Sequence, residues 1–553
     1  MVVLGWQLET TSQIEWRLLT LAGIAGFSLL FLIPVRALFA FASIRERSVS
    51  GAHSVDRVSH SFRIISLLIF VVPQVIVFLA IYPGMYGYDG AFHIAQITPD
   101  GTDNLPSLST GWSIMYTFYL GGAVAAGKTV ATAQLGFAVA MFIQALISCL
   151  VLWFVVIWLR NKTGSRVLAV CALIAFALSP HAMVLRISSS QDTFFADFFL
   201  LTAVFLVEIF MCAKQGKDVP LSYLAACSLC ATLMMLLRGN GLYAYMLVLL
   251  LSFVLTVMRR LQIRVLVSLL IPVLLYGVVS GPVYRAIGAS DSGHPAINEM
   301  LSVPSQQFAR SYVDKPWTFD KREQRQIDAF YSRLSDKADF SFYWDIPEIA
   351  DSAKVQIDPV YTKKHFGEYL GLWFIQGLED PENYVEAFLL NTLGYWYPGK
   401  SYPDTRIYHP FVEYEMMDAK IYNKDYTDIP RDGKLPAVEG TLDSFYLDSA
   451  YGSIPVISVL LSNGIWFWAF IVLGGIALYL HRGIAAPVLL LEAGLFVTFL
   501  LSPVCLYRYV YPFQLVLPVL VASILIGGRE HIACGRAKAA GDAAEGAQHG
   551  ILR

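Results

Sequence analysis

Residues 62–82 read FRIISLLIFVVPQVIVFLAIY, and residues 83–93 continue PGMYGYDGAFH. The first stretch carries a single charge, Arg63, at its start. A helix needs about 20 apolar residues to cross a bilayer, so it predicts a membrane span. Pro83 and Gly84 end that helix sharply. Tyr82, Tyr86 and Tyr88 supply aromatic rings of the kind favoured at a membrane–water interface. Asp89 follows at once. A carboxylate half-buried at the mouth of a membrane helix has a raised pKa, which suits a general base. An Asp in a glycine turn is also an ordinary turn residue, and on this segment alone that plainer reading is the stronger.

Working outward, ten further apolar runs lie near 17–42, 130–158, 167–181, 192–213, 220–237, 241–258, 264–284, 453–480, 485–502 and 508–527. They predict an all-α polytopic membrane protein with about eleven transmembrane helices. The first run lacks a basic flank and a small-residue cleavage site, so it reads as a retained helix and not a signal peptide. Of the 553 residues 56% are apolar and 15% charged, with a mean hydropathy of +0.56; soluble proteins have roughly 45–50% and 25%. This excludes a disordered chain, a coiled coil and an ordinary cytosolic enzyme.

The charges are unevenly placed. Residues 285–452 hold 17 basic and 27 acidic residues, and the rest of the chain 23 and 15. The chain therefore divides into a membrane domain, 1–284, with spans one to eight and a first outer loop at 83–129; an acidic, mostly helical extracytoplasmic domain, 285–452; the last three spans, 453–527; and an Ala/Gly-rich tail, 528–553, that reads as disordered. Asp380-Pro381-Glu382 marks a helix start, and a second helix is expected near 360–378, both lying against the membrane edge or on the domain core. Residues 395–451 read as loop-dominated. Their aromatic run (Tyr395, Trp396, Tyr397, Tyr402, Tyr408, Phe411, Tyr414) suits a glycan groove or a core or membrane contact equally. No basic face with interleaved aromatics is present, so nucleic acid is not an expected partner.

Basic residues set the orientation. Arg45, Arg47, Arg57 and Arg63, then Arg160, Lys162 and Arg166, then Lys214 and Lys217, then Arg259, Arg260 and Arg264, then Arg482 and the tail fall on one side. The short opposite connections hold Lys128, Arg186 and Arg238. The N-terminus is therefore expected outside and the C-terminus in the cytoplasm. This holds if residues 109–127 form an interfacial or re-entrant helix that does not cross. Cys227 and Cys230 have zinc-like spacing but no second pair, and read as buried helix cysteines. Glu208, near the cytoplasmic end of its span, is expected to be solvated.

Polar side chains that a membrane avoids collect at the outer ends of the spans: Asp89 and His93; Arg186, Gln191 and Asp192; Arg238 and Asn240; Arg508 and Tyr511. Charges at such depth are costly and often functional. Forked guanidinium donors match a phosphate, so Arg186, Arg238 and Arg508 point to a lipid-phosphate site, with membrane lipids as surroundings. Snorkelling to ordinary headgroups, or pairing with Asp192 or Asp197, is the plainer alternative.

The motif order carries a resemblance. Pro83-Gly84 followed by Asp89, then Ser188-Ser189-Ser190-Gln191-Asp192, then Arg238-Gly239-Asn240-Gly241-Leu242-Tyr243, then Val303-Pro304-Ser305-Gln306-Gln307-Phe308-Ala309-Arg310, then Arg508-Tyr509-Val510-Tyr511-Pro512, resembles the GT-C-fold integral-membrane glycosyltransferases. Within them it resembles an uncharacterised bacterial multi-spanning branch. That branch carries His-Pro after the first outer loop where this chain has Thr110-Gly111-Trp112, leaving His93 as the histidine able to take over part of that role. The resemblance implies a polyprenyl-phosphate-sugar donor and a glycan, lipid or protein acceptor outside the membrane. It implies Asp89 as general base, Arg238, Arg508 and Arg186 on the donor phosphate, and His93, Gln191, Asp192, Asn240, Tyr511, Gln306, Gln307 and Arg310 around the substrates. No metal is required, because a lipid monophosphate is already a fair leaving group; Asp192 with Asp89 is the pair that could hold a divalent cation. A bacterial cell membrane is the expected location. A lipid-diphosphate polymerase or ligase shares these features. A lipid flippase fits less well, since broken helices paired at the midplane are not evident.

Overall fold

The structure is a computed structural model describing residues 1–48, 58–87, 89–98, 108–290, 295–399, 429–446 and 454–526. A short helix not anticipated from the sequence, α1 (Val2–Thr11), folds back along α2 (Leu18–Ser48). Gln7 donates to the Thr20 hydroxyl at 3.2 Å. The polar Gln7, Glu9, Thr10 and Thr11 hid α1 from a hydropathy reading. The quoted stretch forms α3 (His60–Ala80), capped by Ser59, whose hydroxyl accepts from the Phe62 amide at 3.2 Å.

Next come α4 (Gly90–Ala95), α5 (Ile114–Val130) and α6 (Ala133–Thr163). The Tyr116 hydroxyl donates to Gln144 Oε1 at 2.8 Å, and the Tyr119 hydroxyl to the Ala140 carbonyl at 2.5 Å. Nearer the turn, a Cβ on Gly127 would come within 2.6 Å of Gly136 Cα, so only glycine allows the two backbones so close. α5 thus accompanies the opening third of α6 and does not follow it to Thr163.

The bundle continues with α7 (Arg166–Ala177), α8 (Pro180–Leu185), α9 (Asp192–Lys214), α10 (Leu221–Leu237), α11 (Asn240–Val257) and α12 (Ile263–Ala286). The acidic segment forms α13 (Ala296–Met300), α14 (Ser302–Asp314), α15 (Lys321–Phe330), α16 (Asp351–Lys354), α17 (Pro359–Lys364), α18 (Phe366–Glu379), α19 (Pro381–Asn391), α20 (Leu393–Trp396) and α21 (Pro436–Tyr446). Phe308, Phe330, Tyr331, Phe340, Tyr343 and Tyr369 give it a core of its own. Helices α18 and α19 fall where expected. Asp380 does not cap α19; it accepts instead from Ser311, Lys315 and Asn383 at 2.7–2.8 Å. α21 stands in a segment read as loop. It is held by backbone bonds from Asp432 to Tyr82 and from Lys434 to Leu79 at 2.7 and 2.8 Å. Tyr88, Tyr402, Tyr408, Phe411, Tyr414 and the tail 528–553 lie outside the described residues.

The chain closes with α22 (Pro455–Leu461), α23 (Asn463–Tyr479), α24 (Gly483–Phe499) and α25 (Tyr507–Ile526). Among the described residues, seven helices are long and apolar enough to cross a membrane: α2 over Leu18–Ala40, α3, α6, α9, α11, α12 and α25. The other four expected spans are the shorter apolar helices α7, α10, α23 and α24. Helices α9 and α25 are largely buried within the bundle, while α2 is exposed along most of its length. Leu29 and Ile33 of α2 stand open, a surface that lipid and not water accommodates. Glu208 is buried, not solvated: it pairs with Lys162 at 2.7 Å and accepts from Trp158 Nε1 at 2.6 Å. The low dielectric makes that pairing obligatory.

Candidate functional site

The loop after α3 is zipped to the loop before α9. Met85 N donates to the Ile187 carbonyl at 2.7 Å, and Ser189 N returns a bond to the Met85 carbonyl at 2.9 Å. Gly84 turns the chain at φ 128°, a conformation that favours glycine. The Gly87 amide donates to Ser189 Oγ at 2.7 Å, and a Cβ on Gly90 would sit 2.2 Å from that oxygen. Two segments a hundred residues apart thereby bring Asp89 beside Asp192.

Helix ends supply the rest. Asp89 begins α4, Asp192 begins α9, Arg238 closes α10, and Arg508 lies in the first turn of α25. Arg508 Nη1 donates to Asp89 Oδ2 at 2.7 Å, and its Nε lies 3.6 Å from Asp192 Oδ2. Arg238 Nη1 pairs with Asp192 Oδ1. Both guanidiniums lie over the Tyr509 ring, at 4.4 Å for Arg238 and 5.2 Å for Arg508. Two carboxylates and two guanidiniums alternate around one aromatic face. The carboxylates differ in access: Asp192 is 1% exposed and receives the Ser190 hydroxyl at 2.8 Å, whereas Asp89 is 25% exposed. Asp89 is therefore the more accessible of the two from outside. Trp112, stacked on Phe92 at 4.8 Å, directs its indole N–H to Asp89 Oδ1 at 3.3 Å.

His93 is fully buried behind Asp89. Its Nδ1 lies 2.8 Å from the Thr117 hydroxyl, and its ring stands edge-on to Tyr116. Gln191 joins the same wall through the Ser113 amide, at 3.3 Å. Burial lowers the imidazole to about 4, against the pull of Asp89 and Asp192. The unfolded chain takes up this proton near 6.5 and the folded one only near 4. The neutral ring's contribution is thus complete above that range and is lost as pH falls through it, on the order of 3 kcal/mol. Thermal unfolding followed from neutral to acid pH should show a shallower acid slope for His93→Gln than for the wild type.

Several expected residues lie elsewhere. Arg186 stands apart from the Asp89 cluster: it is fully buried, pairs with the Phe176 carbonyl at the end of α7, and reaches Gln74 Oε1 at 3.2 Å. The unfilled carbonyls of a helix C-terminus attract a cation, and Arg186 answers that demand. Tyr511 interacts with Arg186 and not with the Asp89 cluster. Asn240 donates to Thr498 at 3.1 Å, tying α11 to α24. Gln306 holds the Pro347 carbonyl at 2.8 Å, and Gln307 holds the Tyr384 carbonyl at 3.0 Å. Arg310 is enclosed by Asn383, Ser12, Tyr343 and Glu386. These three pack the acidic domain and do not line the site. Tyr509, Trp112 and Ser190 also belong to the Asp89 cluster, although the sequence reading does not single them out. Tyr509 lay inside a quoted motif, and Trp112 lay where the motif departs from its relatives. Among the described residues no group of three or more His, Cys, Asp or Glu is placed to hold a metal. Between Asp89 and Asp192, where a bridging cation would sit, stands the Arg508 guanidinium.

The long apolar helices, the buried charges at their ends and the separate acidic domain define a polytopic helical membrane protein. The chain belongs to DUF6020, a family of unknown function, whose profile matches residues 103–538. That span includes Asp192, Arg238 and Arg508 and leaves Asp89 and His93 before it. No curated protein and no solved structure matches the chain.

Proposed function

We propose that this protein is a membrane glycosyltransferase moving a sugar from a polyprenyl-phosphate carrier to a cell-envelope acceptor, with inversion. The observation that carries the reading is the meeting of Asp89, Asp192, Arg238, Arg508 and Tyr509 at one point beside the membrane bundle. Asp89 takes the proton of an acceptor hydroxyl. The oxygen attacks the anomeric carbon as the bond from that carbon to the phosphate oxygen breaks. The phosphate oxygen keeps the electron pair of the broken bond, and Arg238 and Arg508 stabilise the negative charge it gains. Asp192 holds both guanidiniums between turnovers, and His93 and Gln191 wall the pocket. With Arg186 engaged elsewhere, two guanidiniums remain, a match for one phosphate; a diphosphate donor, as a polymerase or ligase would use, brings more charge to neutralise. The site faces outward in a bacterial cell membrane, with the C-terminus in the cytoplasm.

The test is transfer from radiolabelled polyprenyl-monophosphate sugars in proteoliposomes. Arg238→Ala should lower turnover by about 10²–10³-fold, the usual loss for a donor to a developing oxyanion. Product formed only from diphosphate donors would assign the polymerase or ligase reading. Lipid movement between leaflets without product would assign a flippase.

A further inference from the structure

Helix α18 (Phe366–Glu379) has two faces. Tyr369, Leu372 and Gln376 are buried against the acidic domain. The opposite face presents Leu370, Phe374, Ile375 and Leu378, with Phe374 60% and Leu378 68% exposed. A helix on a water-soluble domain carries polar residues on its outward face; this one carries large apolar side chains three and four residues apart, a continuous stripe. We propose that this face is seated in the bilayer leaflet at the Asp89 end of the bundle, sunk into the boundary between headgroups and acyl chains.

The position of α18 argues for lipid. Gly377 packs under the Tyr384 ring of α19, where a Cβ would meet that ring at 3.0 Å. Helix α19 is bound to the chain just before the first span, where the Ile14 amide donates to Glu386 Oε1 at 2.6 Å; Arg310 of α14, paired with Glu386, donates to the Ser12 carbonyl of the same segment at 2.9 Å. Four residues beyond Ile14, α2 begins with the exposed Leu18 and Leu19, beside an exposed Trp16 of the kind found at membrane interfaces. The stripe on α18 is thus one helix removed from the place where α2 enters the membrane. Lys363 and Lys364, exposed at the end of α17, stand where lipid phosphates would meet them. Interfacial helices of this composition bury their apolar face by about 5–10 Å. The inference stands independently of the transferase reading. It gives the acidic domain a fixed height over the site.

The experiment is spin-label depth measurement on the full chain in lipid nanodiscs, with Cys171, Cys212 and Cys534 changed to Ser. Phe374→Cys and Leu378→Cys each receive a nitroxide, and Arg322→Cys on the polar helix α15 serves as the water-exposed control. Labels at 374 and 378 should collide with oxygen several-fold more readily than with a water-soluble nickel chelate, and the label at 322 the reverse. Nickel accessibility at 374 and 378 equal to that at 322 overturns the proposal. Protection from both reagents also overturns it, because the face would then be covered by a second copy or by residues 400–428. The labelled positions 374, 378 and 322 carry exposed side chains, so the fold is retained for the measurement.

Discussion

On the proposed transferase reading, Asp89→Asn should lower sugar transfer by about 10²–10⁴-fold, the range general-base catalysis supplies, and at the same time tighten binding of an anionic lipid. The two effects have one cause. In the resting site Asp89 holds Arg508 by a 2.7 Å bond, so the carboxylate competes with any phosphate for that guanidinium. The amide keeps an oxygen for the Trp112 N–H but gives up the charge. A hydrogen bond to a charged group is worth about 1.5–3 kcal/mol, and losing part of that competition strengthens binding by roughly tenfold. Titration with farnesyl phosphate in nanodiscs, beside the transfer assay, measures both. A residue that only supported the loop would weaken binding and transfer together. Unchanged transfer with unchanged binding would remove Asp89 from the mechanism.

Arg310→Ala should cost about 3–5 kcal/mol of stability, because it leaves Glu386 buried without its partner. Burial already raises the Glu386 carboxyl, which the neighbouring Arg310 partly offsets. Arg310 also links the acidic domain to the N-terminal segment through the Ser12 carbonyl. Tryptophan-fluorescence unfolding should show the loss, and Arg310→Met combined with Glu386→Gln should recover most of it. Transfer per folded molecule should be unchanged in the double variant. A substrate-binding arginine would give the opposite result: normal unfolding and reduced transfer.

What could be read from the sequence followed from solvent. Apolar runs located the helices α3, α6, α9, α11, α12 and α25 because the bilayer sets their length. The gathering of Asp89, Asp192, Arg238 and Arg508 was legible because all four stand at helix ends on one expected side, where polar groups escape the hydrocarbon. Side-chain direction was not legible. Arg186 shares that level but turns inward to the carbonyls ending α7, a demand visible only once α7 and α8 are placed. Gln306, Gln307 and Arg310 form a conspicuous motif, yet their partners Pro347, Tyr384, Asn383 and Glu386 lie far along the chain and have no pattern of their own. Glu208 misled for a similar reason: Lys162, which neutralises it, belongs to another helix. Trp112 was seen only as a departure from a motif, although it supplies the N–H that orients Asp89.

The alternation of two acids and two bases around Tyr509 bears on the idle protein as well as the working one. A cluster of zero net charge needs no ion from the medium to keep it company in a place of low dielectric, so added salt should barely alter the folded state. An arriving anion must exchange one neighbour for another and is not simply added. Exchange of that sort yields moderate grip and prompt release, the temperament that the proposed transferase would require of a seat discharging a spent, still-charged carrier before every new one.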